Sequence, residues 1–436
     1  MLTLLPLLIL NTSSFGSYLQ QIFPNRSTSL MKCNDFLEGD NLFNITINRR
    51  QALASTLAFS LISFSRPVHA AIENSGDPSF IPTSTLLDSS RIYEIKTDST
   101  PKAAPSINRL SSNKLIRIIR SKRAIFLGEH HPDTRDHLLQ AALIHRLYYA
   151  TGKTTLAVGL EAIQRKFQPA LDDYIAGRID EGQLIVATDW ERRWYWSFKA
   201  YASVFRTCRA LGVKIVALDV DSEDKGKIER GGLSSLDNTK LQEYVPDEKA
   251  FEKFGATMAF HEYVSQTLKP PYNLQKKLGE KMTKSGTPEK TITFSNFLAR
   301  QMLRDEGMAS ASAAWLTQNP DGLLLGIVGT NHAKFGCGVA ARLAQALPGG
   351  LDEVTSVLLN PTPFNTEADL RRCDGTFVAN EVCIRNDIEV QNYVLQLGYM
   401  KSQNISYIEE SRLEMQVKKD SSVLALSDYV IFSPNT

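Results

Sequence analysis

Short, densely apolar runs recur along the middle of the chain, each separated from the next by a longer stretch with helical spacing. Ala124-Ile125-Phe126-Leu127-Gly128, Thr155-Leu156-Ala157-Val158-Gly159-Leu160 and Val213-Lys214-Ile215-Val216-Ala217-Leu218 are the first three. Leu323-Leu324-Leu325-Gly326-Ile327-Val328 and Val354-Thr355-Ser356-Val357-Leu358-Leu359 are the next two. All are of strand length, and most lack the alternating polar positions of a half-exposed strand, as expected when both faces are covered. Residues 138–149 are too long and too apolar for a strand and read as a helix. Residues 198–211 read as a helix stopped by Gly212, and 339–347 as another. The alternation predicts an α/β fold, a mostly parallel sheet flanked by helices on both faces.

The pattern changes on either side of this core and once within it. Between 236 and 318 the apolar spacing is helical and is broken by Pro270-Pro271 and Gly286, which predicts a helical insertion subdomain. Residues 71–107, rich in Pro, Ser and Thr, read as an extended lead-in with little packing. The α/β domain is expected over 108–362, and 363–436 as an appended α+β extension without a motif.

Residues 1–70 read as a targeting presequence in two parts. The first 45 residues are rich in Ser, Asn and Leu and poor in acidic residues, as an organellar transit segment is. Asn48-Arg49-Arg50-Gln51 then leads into an apolar stretch, followed by Val68-His69-Ala70-Ala71, the pattern of a twin-arginine signal cleaved after Ala70. The apolar stretch of about 13 residues is short of the roughly 20 that span a bilayer, so no stable membrane span is expected in the mature chain. Two such signals in series resemble the import signal of thylakoid-lumen proteins, giving an expected location in the chloroplast. The Leu-rich run at 2–10 could instead be a secretory signal, as used to reach plastids bounded by extra membranes.

Composition excludes some classes. With 43% hydrophobic and 22% charged residues, the 436-residue chain reads as globular. Forty-nine basic against 47 acidic residues leave a net charge of +2, too balanced for a nucleic-acid partner. Of five cysteines none is arranged as C-x-x-C, so neither a zinc ribbon nor a covalently attached haem is encoded; Cys373 and Cys383 could bridge in an oxidising compartment. Zincin, P-loop, G-x-G-x-x-G and G-x-S-x-G patterns are also missing.

Ligands of open parallel sheets bind beyond the carboxyl ends of the strands. The first predicted strand is followed by Glu129-His130-His131, the second by Glu161, the third by Asp219 and Asp221, and the fourth by Gly329-Thr330-Asn331-His332. Each has an ordinary explanation as a helix cap or a hydrogen-bonded loop residue. Together, carboxylates and imidazoles on four strand ends form the ligand set of a divalent metal or of a metal-bound water. His137, at the start of the following helix, could add a donor. The segment Trp190-Glu191-Arg192-Arg193-Trp194-Tyr195-Trp196-Ser197-Phe198 holds three of the four tryptophans. It could wall a flat ligand such as a porphyrin, or be an ordinary aromatic core at a helix start.

These residues also carry a family likeness. Leu127-Gly128-Glu129-His130-His131 with His137, Gly159-Leu160-Glu161, Phe167-Gln168-Pro169-Ala170-Leu171 and Tyr174-Ile175-Ala176-Gly177 resemble successive motifs of the ChaN-like haem-binding family of the Tiki superfamily. So do Trp190, Trp194 and Tyr201, Arg304-Asp305-Glu306-Gly307-Met308-Ala309, and Gly329-Thr330-Asn331-His332 leading to Gly336-Cys337-Gly338-Val339. The likeness runs from 118 to 347. It implies an α/β fold with a helical subdomain and a role in binding haem or handling iron.

Three functional expectations follow. The first is a haem- or tetrapyrrole-binding protein of the thylakoid lumen, with Tyr201 or one of His131, His137 and His261 as axial ligand and Trp190 and Trp194 as pocket wall. The second is a metal-dependent hydrolase in which Glu129, His130 and His332 hold a divalent metal such as zinc or manganese, with Glu129 and Glu161 as the catalytic carboxylates and Glu161 the general base. The third is a scaffold with a vestigial site. The aromatic segment and the likeness favour a ligand-binding protein over an enzyme, and homo-oligomerisation is left open.

Overall fold

The computed structural model describes residues 83–96, 106–152, 156–273, 276, 292–361, 377–379, 382–384 and 425–434. The presequence and a Cys373–Cys383 bridge lie outside the described residues.

Eight strands form one sheet and two short ones a separate hairpin. In chain order they are β1 (Arg91–Lys96), β2 (Ser106–Leu110), β3 (Ala124–Glu129), β4 (Leu156–Gln164), β5 (Lys214–Asp219), β6 (Leu323–Gly329), β7 (Val354–Leu359), β8 (Phe377–Ala379), β9 (Val382–Ile384) and β10 (Tyr429–Phe432). The large sheet runs β2-β1-β10-β7-β3-β6-β4-β5. From β10 to β5 all pairings are parallel, while β1 joins β10 and β2 antiparallel. Every residue of β3, β6 and β7 is buried, which is why their sequences carry no polar face.

The helices that bear on the site are α1 (Thr134–Ala150), α2 (Phe198–Leu211) and α3 (Phe294–Gln318). Asp133 caps α1 by accepting from Arg135 N at 2.9 Å. Ser197 caps α2, which ends where Gly212 turns left-handed at φ 66°. Among the described residues no helix is long and apolar enough to cross a membrane.

Three expectations are adjusted by this arrangement. The lead-in is packed where it is described: Ile92 and Tyr93 of β1 are buried, and β1 and β2 extend the sheet. The extension beyond 363 sends β10 into that sheet between β7 and β1. Within the stretch expected at 236–318 the described residues include several helices, of which α3 is not peripheral. Its Leu303, Met308 and Trp315 are buried, and Met308 and Trp315 share one core cluster with Phe126, Leu324 and Val328 of the sheet.

Candidate functional site

The strands whose ends carry carboxylates and imidazoles are consecutive neighbours, in the order β3-β6-β4-β5. Adjacent strands lie about 4.8 Å apart, so side chains leaving their carboxyl ends converge. Glu129 at the end of β3 pairs in register with Gly329 at the end of β6.

Glu129 is the hub of one half of the site. Its Oε1 is 3.0 Å from His131 Nδ1, and its Oε2 is 3.3 Å from His137 Nε2 and accepts from Gln140 Nε2 at 2.5 Å. Burial disfavours the carboxylate, yet the imidazoles of His137 and His131 outweigh it and hold Glu129 well below the usual carboxyl range. Burial likewise opposes a charge on His131, but the hydrogen bond and charge of Glu129, joined by the charge of Glu161, raise it. Tyr201 Oη lies 2.8 Å from the same Nδ1. Burial and the charge of Glu129 push the Tyr201 phenol well above its ordinary value, so it stays neutral.

The other half is built on Arg304 of α3. Its Nη2 donates to Glu161 Oε1 at 2.7 Å and its Nε to Asp219 Oδ1 at 3.0 Å, tying β4, just past its last pair with β6 at Leu160, to the end of β5. Lys225 Nζ adds a 2.5 Å contact to Asp219 Oδ2. Against the cost of burial, His332 and Arg304 hold Glu161 far below its usual value. His332 Nδ1 bonds Asp305, and its Nε2 is 3.4 Å from Glu161 Oε1 and 3.2 Å from Arg304 Nη1. Burial resists protonation of His332, but Glu161 and Asp305 outweigh it and raise its pKa to about 9. The protonated ring therefore directs Nε2–H to Glu161; only a neutral Nε2 can accept from Arg304.

A missing side chain lets the halves meet. A Cβ on Gly329 would stand 2.8 Å from His131 Nε2 and 3.4 Å from Glu161 Oε2, and Gly329 N donates to that same oxygen at 2.5 Å. Gly338 is needed for a similar reason, since a Cβ there would fall 1.9 Å from the carbonyl oxygen of His332.

The aromatic segment closes over His131. Trp194 meets its ring edge-on at 5.1 Å between centroids, and Trp196 stacks at 6.1 Å and 20°. Trp190 is buried behind them, 5.4 Å from the Tyr201 ring, with Nε1 donating to Trp196 O at 2.8 Å.

Of the expected site residues, Glu129, His131, His137, Glu161, His332, Trp190, Trp194 and Tyr201 are therefore gathered. Two are not. His261 is exposed on the helix Met258–Tyr263 and makes none of the contacts above. His130, next to two residues of the cluster, turns to Asp136 on α1, to whose Oδ2 its N–H donates at 2.8 Å and from which its Nδ1 lies 3.1 Å. Successive residues of an extended chain point to opposite sides, which separates His130 from Glu129 and His131.

The expected metal set of Glu129, His130 and His332 finds no support. Among the described residues no group of three or more His, Cys, Asp and Glu side chains is arranged to hold a metal ion. The guanidinium of Arg304 stands between the strand-end carboxylates instead, and His332 is bound to Asp305. Arg304 and Asp305 stood out in the sequence only within a family motif and Trp196 only within the aromatic segment, while nothing in the sequence marked Gln140.

A parallel α/β sheet with a buried acid–imidazole cluster under an aromatic cover defines the class. The chain belongs to the family described as haem-binding uptake, Tiki superfamily, ChaN, whose profile matches residues 115–343. No curated protein matches it. It is similar to a structure described as cofacial heme binding to ChaN of Campylobacter jejuni, at 16% identity and TM-score 0.44, covering 79% of this chain and 98% of that one. A mutant erythromycin esterase in its open conformation aligns at 12% identity and TM-score 0.37, covering 74% and 93%. A Bacillus cereus protein aligns at 11% and 0.32, covering 81% and 98%.

Proposed function

We propose that this chain binds haem or a related tetrapyrrole beside the aromatic cover, with His131 as the residue that meets the iron. The observation that carries the reading is the state of that one ring. Its Nδ1 is held by Glu129 and Tyr201, while its Nε2 has no hydrogen bond among the described residues. A ligating histidine typically has one nitrogen fixed by a carboxylate and the other free for the metal, so the donor set fits. The other expected ligands fit less well. Tyr201 is 2% exposed and its phenolate is disfavoured, His137 is 0% exposed, and His261 stands apart.

Bound haem would supply an iron centre whose reactivity follows its axial ligand. The protein's own part is to fix the imidazole by way of Glu129 and to flank it with Trp194 and Trp196. The test is a comparison of the ferric hemin complexes of the unaltered chain, His131→Ala and Tyr201→Phe by electron paramagnetic resonance. The reading expects a changed iron signal only in the first variant; a changed signal only in Tyr201→Phe contradicts it.

We propose further that the chain acts in the thylakoid lumen, on the strength of the Arg49-Arg50 pair and the apolar stretch that follows. Fractionation of plastids expressing the tagged chain tests this. Recovery in the stroma or envelope would count against it.

A further inference from the structure

The His130 side chain belongs to a second set of contacts that leads away from the site. Asp136, which holds His130, also accepts from Asn360 Nδ2 at 2.6 Å through Oδ1. Asn360 Oδ1 in turn accepts from Ser433 N at 2.9 Å and Ser433 Oγ at 3.1 Å, and Asn360 N donates to Ile431 O at 2.7 Å. All four side chains, His130, Asp136, Asn360 and Ser433, are buried. This chain of hydrogen bonds runs from the residue between Glu129 and His131 to the residue just after β10.

The other end of the same terminal segment reaches the turn that follows the short helix Thr330–Ala333, which carries His332. Phe335, three residues after that histidine, donates its N–H to Leu426 O at 2.8 Å. The described residues contain three non-glycine positions with positive φ, and two of them are these receiving points, Phe335 at 63° and Asn360 at 41°. A side chain held in that region persists only where its surroundings over-determine it. Here the surroundings include the terminal segment in both cases. Residues 360 and 425–434 lie outside the span that matches the family profile.

We propose that residues 425–434 are a strap that holds the two histidine-bearing segments in register, with Asn360 as the positioning residue that links the strap to His130. Seating of β10 in the sheet and the geometry of the site are then one equilibrium, independent of what the site binds. Releasing the strap frees Asn360 and Phe335 from their left-handed conformations, and with them the segments that carry His131 and His332.

Amide hydrogen exchange of the full chain, without added ligand, tests this through four variants. Val430→Ala weakens the packing of β10, where Val430 is fully buried, and should speed exchange in both 129–134 and 330–336 by about tenfold or more beyond the global change. Asn360→Gly keeps the turn but deletes the linking amide, so it should act mainly on 129–134 and more weakly on 330–336, which His130 meets through Thr330 Oγ1 at 3.4 Å. Ser433→Ala, the gentler change, should do the same more weakly and serves if Asn360→Gly does not fold. Val216→Ala on the distant edge strand β5 should leave both segments at the global rate. In parallel, the imidazole nitrogen resonances of His130 should show a proton fixed on Nδ1 in the unaltered chain and lose that preference in Asn360→Gly or Ser433→Ala. Equal exchange of the two segments in all the variants, or segments unchanged by Val430→Ala and by the change at 360 or 433, would overturn the proposal.

Discussion

Arg304 Nη2 and Glu161 Oε1 stand 2.7 Å apart, and through this pair a helix in the stretch expected as an insertion is joined to a central strand just past its last pair with β6. The same guanidinium bonds Asp219, so one half-buried cation serves two buried carboxylates. The site is thus stabilised from within by a charged side chain where a metal was expected.

Removing that cation should be severe. Arg304→Met leaves Glu161 and Asp219 buried, with His332 and Lys225 as their remaining ion-pair partners and one backbone N–H donating to each. Truncating one partner of a buried pair costs about 3–5 kcal/mol, so urea unfolding should show a loss of that order. Lysine should not rescue it, because a single ammonium cannot bridge two acceptors with the fixed fork of a guanidinium.

The raised pKa of His332 predicts how stability follows pH. The folded protein holds a proton up to about pH 9 on a ring that releases it near 6.5 when unfolded. Its contribution is complete below pH 6.5 and is lost as the pH rises to about 9. The loss is about 3 kcal/mol if the shift is fully expressed. Lys334 works in the opposite sense from about pH 8, because burial lowers its amine. The measurement is therefore the difference between the unaltered chain and His332→Asn across pH 6 to about 9.5. That difference should shrink as the pH rises; a constant one contradicts the assignment.

Gly329→Ala separates site geometry from fold. Its methyl must displace either the His131 ring or the Glu161 carboxylate. Overpacking of this kind costs about 1–3 kcal/mol, so the variant should fold at a lowered melting temperature but lose the hemin spectrum. An unaltered hemin spectrum would show that His131 Nε2 does not need its present position.

Tyr201→Phe should be mild. It deletes a buried hydroxyl that shares His131 Nδ1 with Glu129, at a cost of about 1 kcal/mol. Hemin affinity should fall by less than about tenfold, whereas loss of binding would move the ligand from His131 to Tyr201.

The parallel core was legible because strands buried on both faces must be apolar throughout, as Ala124–Glu129 and Val354–Leu359 are. Tyr429–Phe432 is four residues long, and Arg91–Lys96 carries charge at both ends, so neither stands out from its neighbours. What gathers at the strand ends was legible from Glu129, Glu161, Asp219 and His332, since topology alone brings those ends together. Which of His130 and His131 faces the site was not, because the two differ only in the phase of an extended chain. Arg304 was hidden for another reason. Its partners Glu161 and Asp219 lie 143 and 85 positions away in the chain, and only the packing of α3 against the sheet places it between them.

The most direct test of the central claim is an absorption titration of the purified chain with hemin, run beside His131→Ala. The account predicts a saturable Soret shift in the unaltered chain and its loss in the variant, with both proteins equally folded. A titration with no saturable shift, or an identical one in His131→Ala, would contradict it.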